Sequence, residues 1–210
     1  MAVESETSSK SGPGLNRIRW TRRSIIAFAL TVLVTGALLV LLWSRVLAAN
    51  QSVQTLGLSP LVGRAAPDFT VTLYDGYNRV NGVAARQVRL ADLKGKPVVI
   101  NFWGSWCDAC RAETPLFEAA WKKYQSTGIV FIGIDYQDKP GPGVAFLRQY
   151  GITYLAGPDP ADGSISIAYG VTGAPETAFI SRQGIVVQKA GGAMDDRSLD
   201  QAIQQLLNAP

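Results

Sequence analysis

Cys107 and Cys110 are the only two cysteines of a 210-residue chain. They stand three apart in Trp106-Cys107-Asp108-Ala109-Cys110. Two thiols at that spacing can trade two electrons with a disulfide. The attacking species is the thiolate, and a free cysteine with a pKa of about 8.5 is mostly protonated at neutral pH. Such a pair therefore needs a place that favours the anion. The start of a helix is one, because its first N–H groups are unpaired and carry a partial positive charge. The apolar run Val98-Val99-Ile100-Asn101-Phe102-Trp103 reads as a buried strand, and Arg111 to Tyr124 reads as a helix. The strand delivers the CxxC to the helix N-terminus, which is the pattern of a dithiol redox site. Cys107 comes first and is the expected nucleophile, with a pKa that such sites lower to roughly 3.5–7.5. Cys110, one turn later, is placed to resolve the mixed disulfide. Asp108 between them is acidic and offsets part of the helix effect.

Other uses of two cysteines fit less well. Zinc takes four ligands, usually cysteine and histidine, and the chain has no histidine and no third cysteine. No metal and no cofactor is expected. A structural disulfide around two residues closes a loop too short to add much stability.

The elements that carry the pair sit on an export anchor. Residues 24–44 hold no charge and are dominated by Ile, Leu, Val, Ala and Phe, and a helix needs about 20 such residues to cross a bilayer. Lys10, Arg17, Arg19, Arg22 and Arg23 precede it, so the N-terminus is expected inside and everything after Arg45 outside. Trp43 suits the far interface. The competing reading is a cleaved signal peptide ending at Val46-Leu47-Ala48, but signal cores run about 7–15 residues. Both readings export the rest of the chain into a compartment where disulfides persist. The expected organisation is a cytoplasmic basic tail at 1–23, a transmembrane anchor at 24–44, a linker at 45–63 and a redox domain at 64–210. The basic pI belongs to the anchor. Residues 1–45 hold six Lys/Arg and two Glu, and the remainder holds 14 Lys/Arg and 14 Asp/Glu. No nucleic-acid footprint is left.

Past the linker, Phe69, Val71 and Leu73 alternate as a strand does, and Asp75-Gly76 signals a turn. Ala91 to Gly95 is a short helical turn closed by glycine. Ile129–Ile134 is a second continuous apolar run, typical of a strand buried on both faces. Val144–Tyr150 and Ile165–Tyr169 suit short helices. Thr177–Ile180 and Ile185–Lys189 are strands joined by Arg182-Gln183-Gly184. A last helix runs from about Arg197 to Leu207 with Leu199, Ile203, Leu206 and Leu207 on one face. After an N-terminal β-hairpin extension the order is β-α-β-α-β-β-α, an α/β architecture.

Ala66-Pro67-Asp68-Phe69, Leu93-Lys94-Gly95-Lys96-Pro97, Asn101-Phe102-Trp103-Gly104-Ser105-Trp106-Cys107 and Gly170-Val171-Thr172-Gly173-Ala174-Pro175-Glu176-Thr177 together carry a family resemblance. From about Leu61 to Leu207 the chain resembles membrane-anchored thioredoxin-like proteins of the TlpA/ResA/DsbE group. The last string, with Asp135-Tyr136-Gln137-Asp138 upstream, looks most like the DsbE/CcmG branch, thiol–disulfide reductases of cytochrome c biogenesis. The resemblance implies a thioredoxin-like fold, a central mixed sheet flanked by helices. It also implies a cis Pro175 facing the CxxC, which would set the Ala174 backbone beside the sulfurs for strand addition by a substrate. Glu176 matches the branch's acidic position and would tune Cys107 or contact the partner; a solvated loop carboxylate is the alternative. Glu113 would move a proton on or off Cys110, against the alternative of a surface helix charge. Thioredoxin carries a buried aspartate where this chain has Asn101, an amide that cannot titrate, and this raises Glu113. Trp106 and Trp103 are expected to wall the disulfide, and Tyr136 and Asp138 to form an ordinary loop at that end of the sheet.

The resulting expectation is a membrane-tethered extracytoplasmic reductase. It would act on apocytochrome c or a haem-handling partner, be recharged by a transmembrane electron donor, and be monomeric. A general exported disulfide reductase or oxidase stays open. So does a copper or haem chaperone using the thiols as soft ligands, although thioredoxin-like copper chaperones typically add a histidine that this chain lacks.

Overall fold

The computed structural model describes residues 22–55, 59–80 and 83–210. The chain divides into two units, residues 1–50 and 51–210. Helix α1 spans Arg22–Thr55, and its segment Ile26–Ser44 is long and apolar enough to cross a membrane, with mean hydropathy 2.5. Three hydroxyls of that segment bond to carbonyls of the same helix. Thr31 Oγ1 donates to Ala27 O at 2.9 Å, Thr35 Oγ1 to Thr31 O at 2.8 Å, and Ser44 Oγ to Leu41 O at 2.8 Å. A hydrocarbon solvent demands that internal satisfaction. The helix continues past Ser44 into the stretch read as linker, because no Gly or Pro interrupts the sequence before Gly57. The basic tail at 1–23 lies outside the described residues apart from Arg22 and Arg23, as do linker residues 56–58.

In the second unit, β1 (Thr70–Thr72) pairs antiparallel with β4 (Gln87–Arg89), Val71 opposite Val88. Between them β2 (Arg79–Val80) and β3 (Val83–Ala84) form a smaller antiparallel pair. The N-terminal hairpin is thus a two-tier ladder. A 3-10 turn at Leu90–Leu93 follows, closed by Gly95 at φ +91°, where only glycine is unstrained.

The main sheet comprises β5 (Val98–Trp103), β6 (Val130–Asp135), β7 (Leu155–Pro158), β8 (Glu176–Ile180) and β9 (Val186–Gly191), in the spatial order β7-β6-β5-β8-β9. β5, β6 and β7 run parallel, while β8 and β9 are antiparallel to their neighbours. The connecting helices are α2 (Asp108–Tyr124), α3 (Pro140–Gln149), α4 (Ser164–Ala168) and the terminal α5 (Asp196–Asn208). The α5 start is a capping box: Asp195 Oδ1 accepts the Ser198 N–H at 2.7 Å, and Ser198 Oγ accepts the Asp195 N–H at 3.0 Å.

Continuous apolarity in β5 follows from burial on both faces. Val99 and Trp103 join Phe117, Phe146, Phe179 and Ile203 in the core under α2, α3 and α5. Val98, Ile100 and Phe102 join Val71, Val88, Ile165 and Tyr169 in the core on the other side. Burying each of the phenylalanines is worth about 1.5–3 kcal/mol. Asn101 shares its face with Val99 and Trp103, so its amide points toward α2.

Strand β7 corrects the expected order, which passed directly from α3 to α4. Leu-Ala-Gly-Pro is short and rich in strand-poor residues, so nothing local announces it. Tertiary packing decides it. A Cβ on Gly157 would lie 2.1 Å from Thr72 O, so only glycine lets β1 cross so close. The N-terminal segment also bonds to both edge strands. Tyr74 N–H donates to Ala156 O at 2.9 Å and Ala156 N–H to Tyr77 O at 3.1 Å, while Gly63 N–H donates to Val186 O and Val186 N–H to Arg64 O. The backbone groups bonded in this way cannot pair with other chains.

Candidate active site

β5 ends at Trp103, and α2 opens four residues later with Cys107 as its N-cap (φ −93°, ψ 113°). Cys107 Sγ accepts the Cys110 N–H at 3.0 Å. Sulfur thus fills the place that a serine or aspartate oxygen usually takes. Backbone N–H and the helix's partial positive charge converge there, and both stabilise a thiolate. The two cysteines are joined as a disulfide. Cys107 is 5 % exposed and Cys110 is fully buried, so only Cys107 is open to an incoming sulfur. Asp108 points into solvent with Arg111 Nε 4.0 Å from its Oδ1, and an exposed, paired carboxylate weighs little on the neighbouring sulfur. Arg111 also donates to Ser105 O at 2.7 Å, bracing the turn before the helix.

The Ala174–Pro175 bond is cis, and Ala174 O lies 3.4 Å from Cys107 Sγ. A backbone edge therefore runs beside the accessible sulfur, of the kind an extended peptide can pair with. On the inner side, Glu113 is 2 % exposed. Its Oε1 accepts from Asn101 Nδ2 at 2.9 Å, and its Oε2 accepts the Met194 N–H at 3.0 Å. Asn101 Nδ2 also donates to Thr177 Oγ1 at 3.2 Å. Burial pushes the Glu113 carboxyl up from 4.5 to about 7, against the pull of the Met194 and Asn101 donors. Glu113 follows Cys110 by one turn on the same face of α2. A carboxyl poised near neutrality there can accept a thiol's proton and return it. Its burial excludes the surface-charge alternative.

Residues 62–189, more than half of the chain, match the AhpC/TSA family. The chain belongs to the AhpC/TSA family. DsbE of Pseudomonas aeruginosa, a thiol:disulfide interchange protein, is 35% identical over 156 residues, covering 72% of this chain and 81% of that protein. The thiol-disulfide oxidoreductase ResA of Bacillus thuringiensis is 30% identical over 145 residues, covering 69% and 78%. A Chlorobium tepidum crystal structure described as a DsbE-type thiol:disulfide interchange protein matches with a TM-score of 0.60 and 29% identity, over 69% of this chain and 96% of that one. This AhpC/TSA protein therefore has the thioredoxin-like fold and is a thiol-disulfide oxidoreductase of the DsbE/ResA type.

Around the disulfide of this AhpC/TSA domain, the two tryptophans have different surroundings. Trp103 is buried and stacked on Phe146 at 4.9 Å. Trp106 is 52 % exposed, with its indole N–H donated to Tyr136 O at 3.3 Å. It lies over Gly104, where a Cβ would come 2.5 Å from the indole nitrogen. Tyr136 and Asp138 are more than an ordinary loop. Tyr136 N–H donates to Trp103 O at 2.6 Å, and Asp138 Oδ2 accepts the Ser105 N–H at 2.7 Å. They hold the turn from which Cys107 projects.

Glu176 departs from expectation. It is neither solvated nor free to touch a partner, because it is buried and ion-paired to Lys189. Its Oε1 accepts from Thr172 N at 2.8 Å, Thr172 Oγ1 at 3.0 Å and Gly173 N at 3.3 Å. Burial pushes its carboxyl up, but Lys189 and Thr172 outweigh that and hold it below the usual range. The residue organises the loop that presents Ala174. Lys189, which also donates to Gly170 O at 3.1 Å, carried no sequence signal beyond its charge. Met194 acts through its backbone and carried none. Asp135 was legible only as the first residue of the Asp135-Tyr136-Gln137-Asp138 string of the family resemblance.

Proposed function

We propose that this oxidoreductase is a membrane-tethered, extracytoplasmic reductase of disulfides in cytochrome c maturation, acting on apocytochrome c or a haem-handling partner. The observation that carries the thiol chemistry is the capping sulfur of Cys107, accessible beside the Ala174 carbonyl, with Cys110 sealed behind it. The Cys107 thiolate attacks one sulfur of a substrate disulfide, and the other substrate sulfur leaves and takes up a proton. A mixed disulfide then joins the substrate to Cys107. Cys110 gives its proton to Glu113 and attacks Cys107 Sγ, and the second substrate sulfur departs as a thiolate that takes up a proton from water. Two electrons have moved to the substrate, and the oxidised Cys107–Cys110 pair is left behind. A transmembrane electron donor would return the pair to dithiols.

Trp106, Ala174 and Pro175 are the surface on which the substrate segment would lie. Glu176 supports it from within. The basic residues before Ile26–Ser44 favour a cytoplasmic N-terminus, which puts residues 64–210 outside. Tethering keeps the domain at high effective concentration near membrane-bound partners. Kinship to DsbE and the Gly170–Thr177 string support the cytochrome c assignment, since haem attachment at a CxxCH motif needs free thiols.

The test is a trap. With Cys110→Ser in the full chain, the mixed disulfide on Cys107 cannot be resolved. A cytochrome c maturation component is expected in the captured complex. Capture of unrelated exported proteins alone would replace this reading with a general exported oxidoreductase.

A further inference from the structure

After residue 45 the chain is neutral overall, with 14 Lys/Arg against 14 Asp/Glu. The fold sorts many of those charges to opposite ends of the main sheet. Cys107 follows the end of β5, and acids gather there. Asp138 follows β6, Asp159 and Asp162 follow β7, Asp108 opens α2, and Asp195 and Asp196 precede and open α5. Of the bases at that end, Arg111 stands next to Asp108 and Lys189 on Glu176, while Lys139 and Arg197 are exposed.

The opposite end is basic. Val98 opens β5 and pairs with Val130 and Ile180, so the turns before β5 and after β8 share this end. They carry Lys94, Lys96 and Arg182, joined where Gly95 N–H donates to Arg182 O at 2.9 Å. Arg64 lies alongside, because its carbonyl accepts the Val186 N–H at 2.9 Å. Lys122 and Lys123 stand in the last turn of α2, and Arg148 in the last turn of α3. Helix dipoles account for those three, since cations favour helix C-termini, and Lys122 and Lys123 are ion-paired to Glu118 and Asp200. Dipoles do not account for Arg64, Lys94, Lys96 and Arg182, which lie on turns. Arg64 and Lys94 are exposed and form no ion pair among the described residues. The acids close to these turns are Asp92 and Asp68, and Asp68 is paired to Arg89 at 2.6 Å. A cleft of about 230 Å³ opens here, lined by Leu90, Leu93, Val98 and Ile180 together with Lys94, Lys96 and Asp68. The segment that leads from the apolar span also meets the domain here, with Gly63, Arg64 and Ala66 bonded to Gly184 and Val186.

We propose that the end of the domain opposite Cys107 is a docking face for anionic phospholipid headgroups, contacted by Arg64, Lys94, Lys96 and Arg182. The docking rests on the reading of Ile26–Ser44 as a membrane anchor, which puts a bilayer within reach of the residue 63–66 entry point. Each basic residue brought near an anionic bilayer strengthens attachment about fivefold. The anchor makes the docking intramolecular, so a face of modest affinity suffices. The acids at the other end are repelled by the same surface and reinforce the orientation. Cys107, Trp106 and Ala174 then stand off from the bilayer by the length of β5, about 20 Å. An electron donor must reach them with a part that lies outside the membrane.

The full chain is reconstituted in nanodiscs of phosphatidylcholine, or of phosphatidylcholine mixed with phosphatidylglycerol. Its lysines are acetylated with acetic anhydride and mapped by mass spectrometry. Lys94 and Lys96 are expected to react about fivefold more slowly in the anionic discs, with Lys139, at the Cys107 end, unchanged. In about 1 M salt, where the Debye length falls to about 3 Å, the difference is expected to vanish. Arg64→Glu combined with Lys94→Glu is expected to abolish the protection of Lys96, while the reduced protein still reacts with glutathione disulfide at the wild-type rate. Equal Lys94 and Lys96 rates in the two discs overturn the proposal and leave this face to a protein partner or to water. Equal slowing of Lys139 also overturns it, because adsorption would then have no orientation. The anchor reading fails separately, if alkaline carbonate strips the full chain from neutral vesicles. Low-salt retention on anionic but not neutral vesicles then still supports the docking face, and equal retention on both overturns it.

Discussion

Glu113 should make this protein less stable as the solution becomes more alkaline, and Glu113→Gln should remove that effect. The carboxyl is raised from 4.5 to about 7 in the folded chain because it is buried, and its two donors, Met194 N–H and Asn101 Nδ2, only partly compensate. Between those values the folded chain holds a proton that the unfolded chain has released. Stability therefore falls as pH rises from 4.5, and the loss is complete above 7. At 1.36 kcal/mol per pH unit the loss is about 3 kcal/mol, a sizeable share of a typical 5–15 kcal/mol. Glutamine is neutral throughout and keeps one acceptor oxygen, but its amide must face one of the two donors. That mismatch is expected to cost about 1–3 kcal/mol at pH 4. From pH 4 to 8.5 the variant should then gain about 3 kcal/mol on the wild type. The assay is urea unfolding of the oxidised full chain in mild detergent at pH 4, 6 and 8.5, comparing midpoints at unchanged slope. Taking the difference between the two proteins cancels Asp135 and every other titrating group. Parallel stability curves would refute the reasoning, since a carboxyl held near its solution pKa has no such linkage.

Lys189→Met should destabilise the fold by about 3–5 kcal/mol, because it leaves the Glu176 carboxylate buried without its cation. Adding Glu176→Gln, which is neutral and keeps an oxygen for the Thr172 and Gly173 donors, should recover part of that loss in a thermal melt. Gly157→Ala should lose about 1–3 kcal/mol in urea unfolding, because the new Cβ would meet Thr72 O at 2.1 Å, backbone that cannot swing aside. A titration of the Cys107–Cys110 couple against glutathione should place it nearer the reducing value of thioredoxin, about −270 mV, than the oxidising one of DsbA, about −120 mV. A value at the oxidising end would reverse the direction of electron flow proposed here.

The continuous apolar runs of β5 and β6 were legible because a strand buried on both faces must be apolar at every position. The amphipathic spacing of α5 was legible for the matching reason on one face. β7 was not, since Leu155-Ala156-Gly157-Pro158 owes its extended form to neighbours on both sides, β6 and the Tyr74–Tyr77 segment. Glu176 was read as tuning Cys107 or contacting a partner, against a solvated loop carboxylate, whereas Lys189, thirteen residues away, draws it inward, away from solvent and partner.

By itself, the sequence determined that this chain carries a dithiol on a strand-to-helix junction, behind an N-terminal apolar span. Spacing, absent histidines and an uncharged apolar span are local properties that survive without coordinates. Only the tertiary structure decided which groups surround the dithiol and in what state. It turned Glu113 from a helix charge into a buried acid near neutrality, and it brought Ala174 to 3.4 Å from Cys107 Sγ. It also buried Asp135 beside Trp103, under the Tyr74 hydroxyl. The reason is that solvation and proximity are properties of the packed chain. A carboxyl's charge depends on how much water and how many donors the fold leaves it, and neither is written in its neighbours along the sequence.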